Sequence, residues 1–304
     1  MIRVLVTDGM ERSGIDSLKA KGFEVVEQFY APEDLGEALK EFDVLVVRSA
    51  TKVRKPIIDK ACESGRLKLI IRGGVGVDNI DVAYAMEKGI KVTNTPKASS
   101  ASVAELTIGH MFAVARFINI ANVTMREGKW EKKHYEGIEL NGRTLGLIGF
   151  GRISREVAKR AYALGMKVIY TDVLGKAEGT DEFEFVSQED LLKASDFISL
   201  HIPYDKEKGA TIKAEEFAMM KDGAYLINCA RGGVVCEKAL LEALNSGKLG
   251  GAAVDVFEEE PSKNEELIKH PRLSVTPHIG ASTVEAQTRI GEEIVSIITE
   301  YFKA

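Results

Sequence analysis

The stretch RTLGLIGFGRISREVAKRAYALGMKVIYTD, residues 143–172, decides the fold. Its first part, 144–150, is short, apolar and bounded by glycine, as a strand buried on both faces of a parallel sheet must be. After Gly151 the period changes. Ile153, Val157, Ala158, Ala161 and Leu164 recur at three- and four-residue spacing, which is one face of a helix, and Gly165 follows where a C-cap glycine belongs. A second strand over 167–171 ends on Asp172.

Strand, glycine turn, helix, strand and terminal acid together make a dinucleotide-binding unit. Gly149 permits the tight turn, and Gly151 has no side chain to hold a pyrophosphate off the backbone. The helix that follows presents unpaired N–H groups and the positive end of its dipole to that phosphate. Asp172 is placed to accept hydrogen bonds from a ribose diol and to repel a 2′-phosphate, which favours NAD over NADP. The third glycine of the usual pattern is replaced by Ser154, which is expected to loosen the packing of helix on strand without abolishing the site.

Outward from this unit, 304 residues are long for one hydrophobic core and suit two domains. With 45% apolar residues, 29% charged residues and a net charge of −5, the composition is that of an ordinary soluble protein and argues against nucleic acid as a partner. Cys62, Cys229 and Cys236 are odd in number and lack metal-ligand spacing, and no secretory leader precedes them; a reducing, cytoplasmic compartment is expected. The most apolar long segment, 106–123, contains His110, Arg116 and Asn119, so it reads as a buried helix and not as a membrane span.

Before the nucleotide unit, strand-like runs at 4–7, 24–26, 44–48, 69–71 and 91–93 alternate with helical ones at 13–20, 33–40, 56–61 and 81–88. Such alternation predicts a doubly wound parallel sheet. One long helix is expected over 102–126, as a spine shared between two domains, and a loop over 128–140. Beyond Asp172, strands are expected at 197–200, 224–227, 251–255 and 273–276, and a final helix at 284–301 with no strand after it is expected to return to the first domain.

Ligands of open α/β sheets bind outside the carboxyl ends of the strands, so the polar residues there are the candidates. They are His201, then Asn228, Cys229 and Arg231, then Asp255 and Glu260, then His278. Arg231, in NCARGG, offers a guanidinium that forks a carboxylate. His278, fixed between Pro277 and Gly280, suits proton exchange near neutrality. Glu260, if paired to that imidazole, would orient it. Together they suit hydride transfer between nicotinamide and C2 of a 2-hydroxy acid, with His278 taking the hydroxyl proton and Arg231 holding the carboxylate; no metal is required.

With these residues assembled, the chain resembles the D-2-hydroxyacid dehydrogenase family over essentially its whole length, and most of all the branch that acts on 3-phosphoglycerate. The matching stretches are VRSATKV at 47–53, RGGVGVDNID at 72–81, AELTIGHM at 104–111, REGKWEKK at 126–133, the nucleotide unit, INCARGGVV at 227–235, AAVDVFEEEP at 252–261 and TPHIGAST at 276–283. The resemblance implies two doubly wound parallel-sheet domains: a Rossmann NAD-binding domain, 99–283, inserted in a flavodoxin-like substrate domain, 1–98 and 284–304. It assigns catalysis to Arg231, Glu260 and His278. It extends the cofactor contacts beyond Gly149, Gly151 and Asp172 to Val75, Arg152, Ile153, His201, Ile202, Cys229, Ala230, Arg231, Asp255, His278, Gly280 and Ala281. Arg48, Arg72, Arg231 and Lys132 would meet the substrate, with Lys132 standing where an arginine is common in similar enzymes.

The implied reaction is NAD-dependent oxidation of 3-phospho-D-glycerate to 3-phosphonooxypyruvate, the first step of serine biosynthesis, by a likewise implied homodimer. The alternatives are a glyoxylate or hydroxypyruvate reductase, another D-2-hydroxyacid dehydrogenase, or an NADH-sensing corepressor-like binding protein. Because the last helix ends the sequence, a C-terminal serine-sensing domain, with its inhibition, is expected to be absent.

Overall fold

Short β-branched runs, uninterrupted by charge, form the strands of the first sheet. β1 (Arg3–Val6), β2 (Glu24–Glu27), β3 (Val44–Val47), β4 (Leu69–Arg72) and β5 (Lys91–Asn94) lie in the order β2-β1-β3-β4-β5, with every neighbouring pair parallel. Strand alternation sorts their side chains. Val4, Val6, Val44, Val46, Leu69 and Ile71 face one side, and Leu5, Leu45, Val47 and Ile70 face the other. Both faces are covered, which is why β3 is buried along its whole length.

The final helix, Val284–Phe302, belongs to this sheet. Its Ile290, Ile294, Val295 and Ile298, at helical spacing, pack in the cluster that holds Val4, Val6 and Leu18. The computed structural model describes residues 1–303 and divides into two units, one of residues 1–99 with those from 281 on, the other of residues 100–280. The changeovers thus fall at 99/100 and 280/281 where 98/99 and 283/284 were expected. The reason at the second is local: Gln287 Nε2 donates to the Ala281 carbonyl at 2.8 Å, and Thr283 Oγ1 caps the helix by accepting from the Ala286 amide at 3.1 Å.

The second sheet contains β6 (Thr144–Ile148), β7 (Lys167–Thr171), β8 (Glu184–Phe185), β9 (Phe197–Leu200), β10 (Ala224–Asn228), β11 (Leu249–Val254) and β12 (Leu273–Val275). Their order is β12-β11-β10-β9-β6-β7-β8, all parallel, so the winding reverses between β6 and β9. That reversal opens the crevice at which such sheets bind dinucleotides. The edge strand β8 has no apolar run to announce it and is held by pairing with Ile169 and Tyr170, by the Lys167–Glu184 ion pair at 3.0 Å and by the Phe185 ring beside Tyr170.

The single helix expected over 102–126 is two helices, Ser100–Ala115 and Ile118–Arg126, bent by 66°. Phe117 at the break is left-handed, with φ +56°. The Ala115 carbonyl accepts from the Ile138 amide at 3.0 Å in place of a partner in its own helix, and the Phe117 ring lies 5.9 Å from that of Tyr135. A returning loop therefore ends the first helix. Among the described residues no single helix is long and apolar enough to cross a membrane.

Ser154, on the helix Arg152–Ala163, is fully buried, and its Oγ has no hydrogen-bond partner among the described residues. A buried unmade hydroxyl bond costs about 1–3 kcal/mol. Ser154→Ala is therefore expected to raise the midpoint of thermal unfolding by a few degrees, roughly 2–4 °C per kcal/mol in a chain of this size. A lowered midpoint in calorimetry would mean that the hydroxyl has a partner.

Candidate active site

The nucleotide loop fits its expected ligand for reasons visible in its own backbone. Gly149, at φ +87°, lies flat against the end of β9: a Cβ there would stand 2.6 Å from the His201 carbonyl and 2.7 Å from Ile202. Only glycine closes β6 onto β9 at the winding reversal. Gly151 differs, since a Cβ built on it meets nothing within 4 Å. The protein itself does not require glycine there, whereas a phosphate approaching the backbone does. Gly151 also begins the helix Arg152–Ala163 without a side-chain cap, leaving its first amides to an anion. Asp172 accepts from the Phe150 amide at 2.6 Å through one oxygen and from the Leu174 amide at 2.9 Å through the other. Each oxygen keeps a lone pair for a ribose hydroxyl.

Three loops of the same unit carry the charged candidates. The first follows β10. Asn228, 2% exposed, accepts from the Ala230 amide and donates to the Arg231 carbonyl, both at 3.0 Å, so it locks the turn that presents Arg231. Gly232 then joins this turn to the second loop. A Cβ on it would stand 1.7 Å from the Phe257 carbonyl oxygen, so glycine alone permits the contact. The 257–264 loop is anchored by reciprocal bonds, Glu237 amide to Glu258 at 3.0 Å and Glu258 amide to Glu237 at 2.8 Å, with Asn264 donating to Glu237 at 2.9 Å.

The third loop presents His278 in a left-handed conformation, φ +54°. A non-glycine residue holds this shape only when its surroundings over-determine it. Asp255 supplies that constraint. Its carbonyl accepts from the His278 amide at 2.8 Å, and its carboxylate, 1% exposed, accepts from Thr276 Oγ1 at 2.6 Å and from the Ile279 and Gly280 amides at 2.8 Å. Expected at the cofactor, the Asp255 side chain is thus engaged by its own loop.

His278 Nδ1 and Glu260 Oε2 are 2.8 Å apart, and Glu260 Oε1 accepts from the Phe257 amide at 3.1 Å. Burial alone would raise the Glu260 carboxyl; the His278 hydrogen bond and charge, the Phe257 amide and the Arg231 guanidinium outweigh it and hold the group below the usual carboxylate range. Pairing of Nδ1 with an ionised carboxylate leaves Nε2 as the imidazole nitrogen that can exchange a proton. Phe257, Pro261, Val275 and Pro277 make an apolar surround for the pair.

His201 and Cys229 are neutral. Burial pushes the His201 imidazole down to about 3, and its Nε2 lies 3.0 Å from Ser199 Oγ. The Cys229 thiol is pushed up to about 12, by burial first and the Asp255 charge second. Arg152 and Ile153 open the nucleotide helix, Ile202 follows β9 and Ala230 lies in the arginine turn, all in the second unit. Val75, Ala281, Arg48 and Arg72 lie in the first unit. Lys132 is exposed on the short turn Lys132–His134.

In the first unit, Arg48 follows β3 and Arg72 ends β4, on adjacent strands. The 48–51 loop is rigidly built: Asp8, just after β1, accepts from the Arg48 amide at 2.7 Å and the Thr51 amide at 3.0 Å, and Asn79 donates to both their carbonyls at 2.7 Å. β1 and β3 flank the winding reversal of this sheet, so Arg48 stands at the edge where open α/β sheets can take a ligand.

Residues 108–280 match the family model of the D-isomer specific 2-hydroxyacid dehydrogenase NAD-binding domain. A hydroxypyruvate reductase of Thermotoga maritima is 50% identical over 301 residues, 97% of each chain. A D-3-phosphoglycerate dehydrogenase of Methanocaldococcus jannaschii is 47% identical across all of this chain, which spans only 57% of that relative. The solved structure of an Aquifex aeolicus D-lactate dehydrogenase complexed with NAD and lactic acid superposes with a TM-score of 0.87 at 33% identity, covering 99% of this chain and 95% of its own. The chain belongs to the D-2-hydroxyacid dehydrogenase family, and its cofactor is NAD.

The Asn228 lock, the Gly232 contact and the Asp255 brace could not be foreseen from the sequence, although Asn228 and Gly232 lie in INCARGGVV and Asp255 in AAVDVFEEEP. Their local trace is the small or short polar residue beside each charged one. With a thiol at about 12, Cys229 is roughly one part in ten thousand thiolate at pH 8 and is expected to resist alkylation. Peptide mapping after iodoacetamide treatment of native and unfolded protein checks this; a Cys229 adduct in the native sample contradicts it.

Proposed function

We propose that the chain catalyses NAD-dependent oxidation of 3-phospho-D-glycerate to 3-phosphonooxypyruvate, the opening reaction of serine biosynthesis. The observation that carries the substrate assignment is the pair of guanidinium groups, Arg48 and Arg72, at the carboxyl ends of adjacent strands. A phosphate is matched by such cations, because a planar guanidinium forks two of its oxygens at once. Arg231 holds the substrate carboxylate and polarises the developing carbonyl. His278 takes the C2 hydroxyl proton on Nε2, and the Glu260 carboxylate, 2.8 Å from Nδ1, stabilises the charge that then appears on the ring. Bound NAD supplies the hydride acceptor. Asp172, with lone pairs to spare beyond its two amide bonds, receives the ribose.

A second reading, reduction of hydroxypyruvate, has its own support in the full-length match to the Thermotoga maritima enzyme. The two separate in steady-state assays at 340 nm. The proposal expects kcat/KM for 3-phosphoglycerate with NAD, and for 3-phosphonooxypyruvate with NADH, well above that for the unphosphorylated acids. A preference for hydroxypyruvate removes the phosphate assignment and leaves the hydride chemistry. Arg48→Ala is expected to raise KM for the phosphorylated acid by roughly 10- to 100-fold with kcat little changed, and far less for unphosphorylated acids. His278→Ala is expected to lower kcat by roughly 10²- to 10⁴-fold while NAD still binds. Turnover unaffected by that change would end the proton-transfer assignment.

A further inference from the structure

Beneath the His278 loop lies a buried histidine for which the reaction as described has no use. His110, on the helix Ser100–Ala115, is 2% exposed. Both of its ring nitrogens are satisfied by hydroxyls: Nδ1 lies 2.9 Å from Ser274 Oγ, and Nε2 lies 2.9 Å from Thr276 Oγ1. Each hydroxyl has a further partner. Asn119 Nδ2 donates to Ser274 Oγ at 2.5 Å, and Thr276 Oγ1 donates to Asp255 Oδ1 at 2.6 Å.

These partners leave one arrangement of protons. A carboxylate only accepts, so the single Thr276 hydrogen points to Asp255. Thr276 must then accept from His110, which places the ring hydrogen on Nε2. Nδ1 is left as an acceptor, and the Ser274 hydrogen fills it while the Ser274 oxygen receives the Asn119 amide. The result is a directed chain, Asn119 to Ser274 to His110 to Thr276 to Asp255, in which each donor meets one acceptor. A proton added at Nδ1 would turn that acceptor into a second donor against Ser274. Burial, opposed by the weaker pull of the Asp255 charge, also holds the imidazole below its ordinary value.

The chain ends on the carboxylate that fixes the His278 loop. Asp255 accepts from the Ile279 and Gly280 amides, on the far side of the left-handed His278. We propose that His110 is a positioning residue for the reaction: neutral and protonated on Nε2, it transmits the hold of its helix through Thr276 and Asp255 to the loop that aims His278. This rests on His278 being the proton-transfer group. It adds a requirement at a residue that touches neither substrate nor cofactor.

Two measurements test it. In ¹⁵N-histidine NMR of the unmodified protein at pH 7, His110 is expected to show a protonated Nε2 and an unprotonated Nδ1; the opposite tautomer, or a charged ring, overturns the proposal without any variant having to fold. In kinetics, His110→Leu is expected to lower kcat roughly 10- to 100-fold, because the group it aims is misplaced, with KM for the acid and Kd for NAD within about threefold. His110→Gln, which keeps one acceptor and one donor, is expected to restore most of that loss. Thr276→Val is expected to match His110→Leu, and the double variant to be no worse than Thr276→Val alone, since both cut one chain. Unchanged kcat with a lowered melting point, or additive losses in the double variant, overturns the proposal. Failure of the underlying assignment looks different: His278→Ala would then turn over normally, whatever the His110 variants do.

Discussion

A buried carboxylate governs the candidate site. Asp255 is almost wholly removed from solvent, and a charge so placed is costly unless hydrogen bonds compensate it. Its two oxygens receive the Thr276 hydroxyl and the Ile279 and Gly280 amides, and its own carbonyl receives the His278 amide. The same bonds that make the burial tolerable hold His278 in a backbone region that an L-residue enters at a cost. Fixing the imidazole is thus a by-product of satisfying a carboxylate. No surface salt bridge would achieve it, because an exposed pair contributes little and leaves both side chains free to move.

The other loops reach the imidazole through the absence of side chains. Gly232 lies flush on the Phe257 carbonyl, so the arginine turn and the glutamate loop pack backbone against backbone. Gly149 lies flush on His201 and does the same for the nucleotide loop and the end of β9. At both places the backbone of one loop is packed against the backbone of another, a closeness that a methyl group would prevent. The polar anchors, Asn228 within its turn and the Glu237–Glu258 exchange, then remove the remaining freedom. Preorganisation of this kind lowers the entropic cost of assembling reacting groups.

Much of this is legible in the sequence. Residues 143–172 carry their strand–helix–strand reading in local periodicity, and the sheet order, with its reversal beside β6, follows the pattern that such a unit demands. The charged candidates stand out because polar residues at the carboxyl ends of apolar strands have few other uses. Less was legible where a distant segment intervenes. The helical period runs unbroken through Arg116 and Phe117, yet the chain bends there because the Ile138 amide captures the Ala115 carbonyl. Glu260 is one of three consecutive acids; local pattern does not distinguish it from its neighbours, the family resemblance does, and the folded loop places it 2.8 Å from His278.

What the sequence determined by itself is what adjacent residues decide together: strand or helix, tight turn or not, a parallel architecture, and the kinds of side chain at each strand end. These depend on periods of two and 3.6 residues and on the backbone freedom of glycine, all local properties. The tertiary structure alone decided which of those side chains meet. Arg231, Glu260 and His278 come from separate loops, and His110 reaches Ser274 and Thr276 across more than 160 positions of the chain. Hydrogen-bond partners at that separation leave no trace in local pattern, since their geometry exists only once the sheet has set the strand ends side by side.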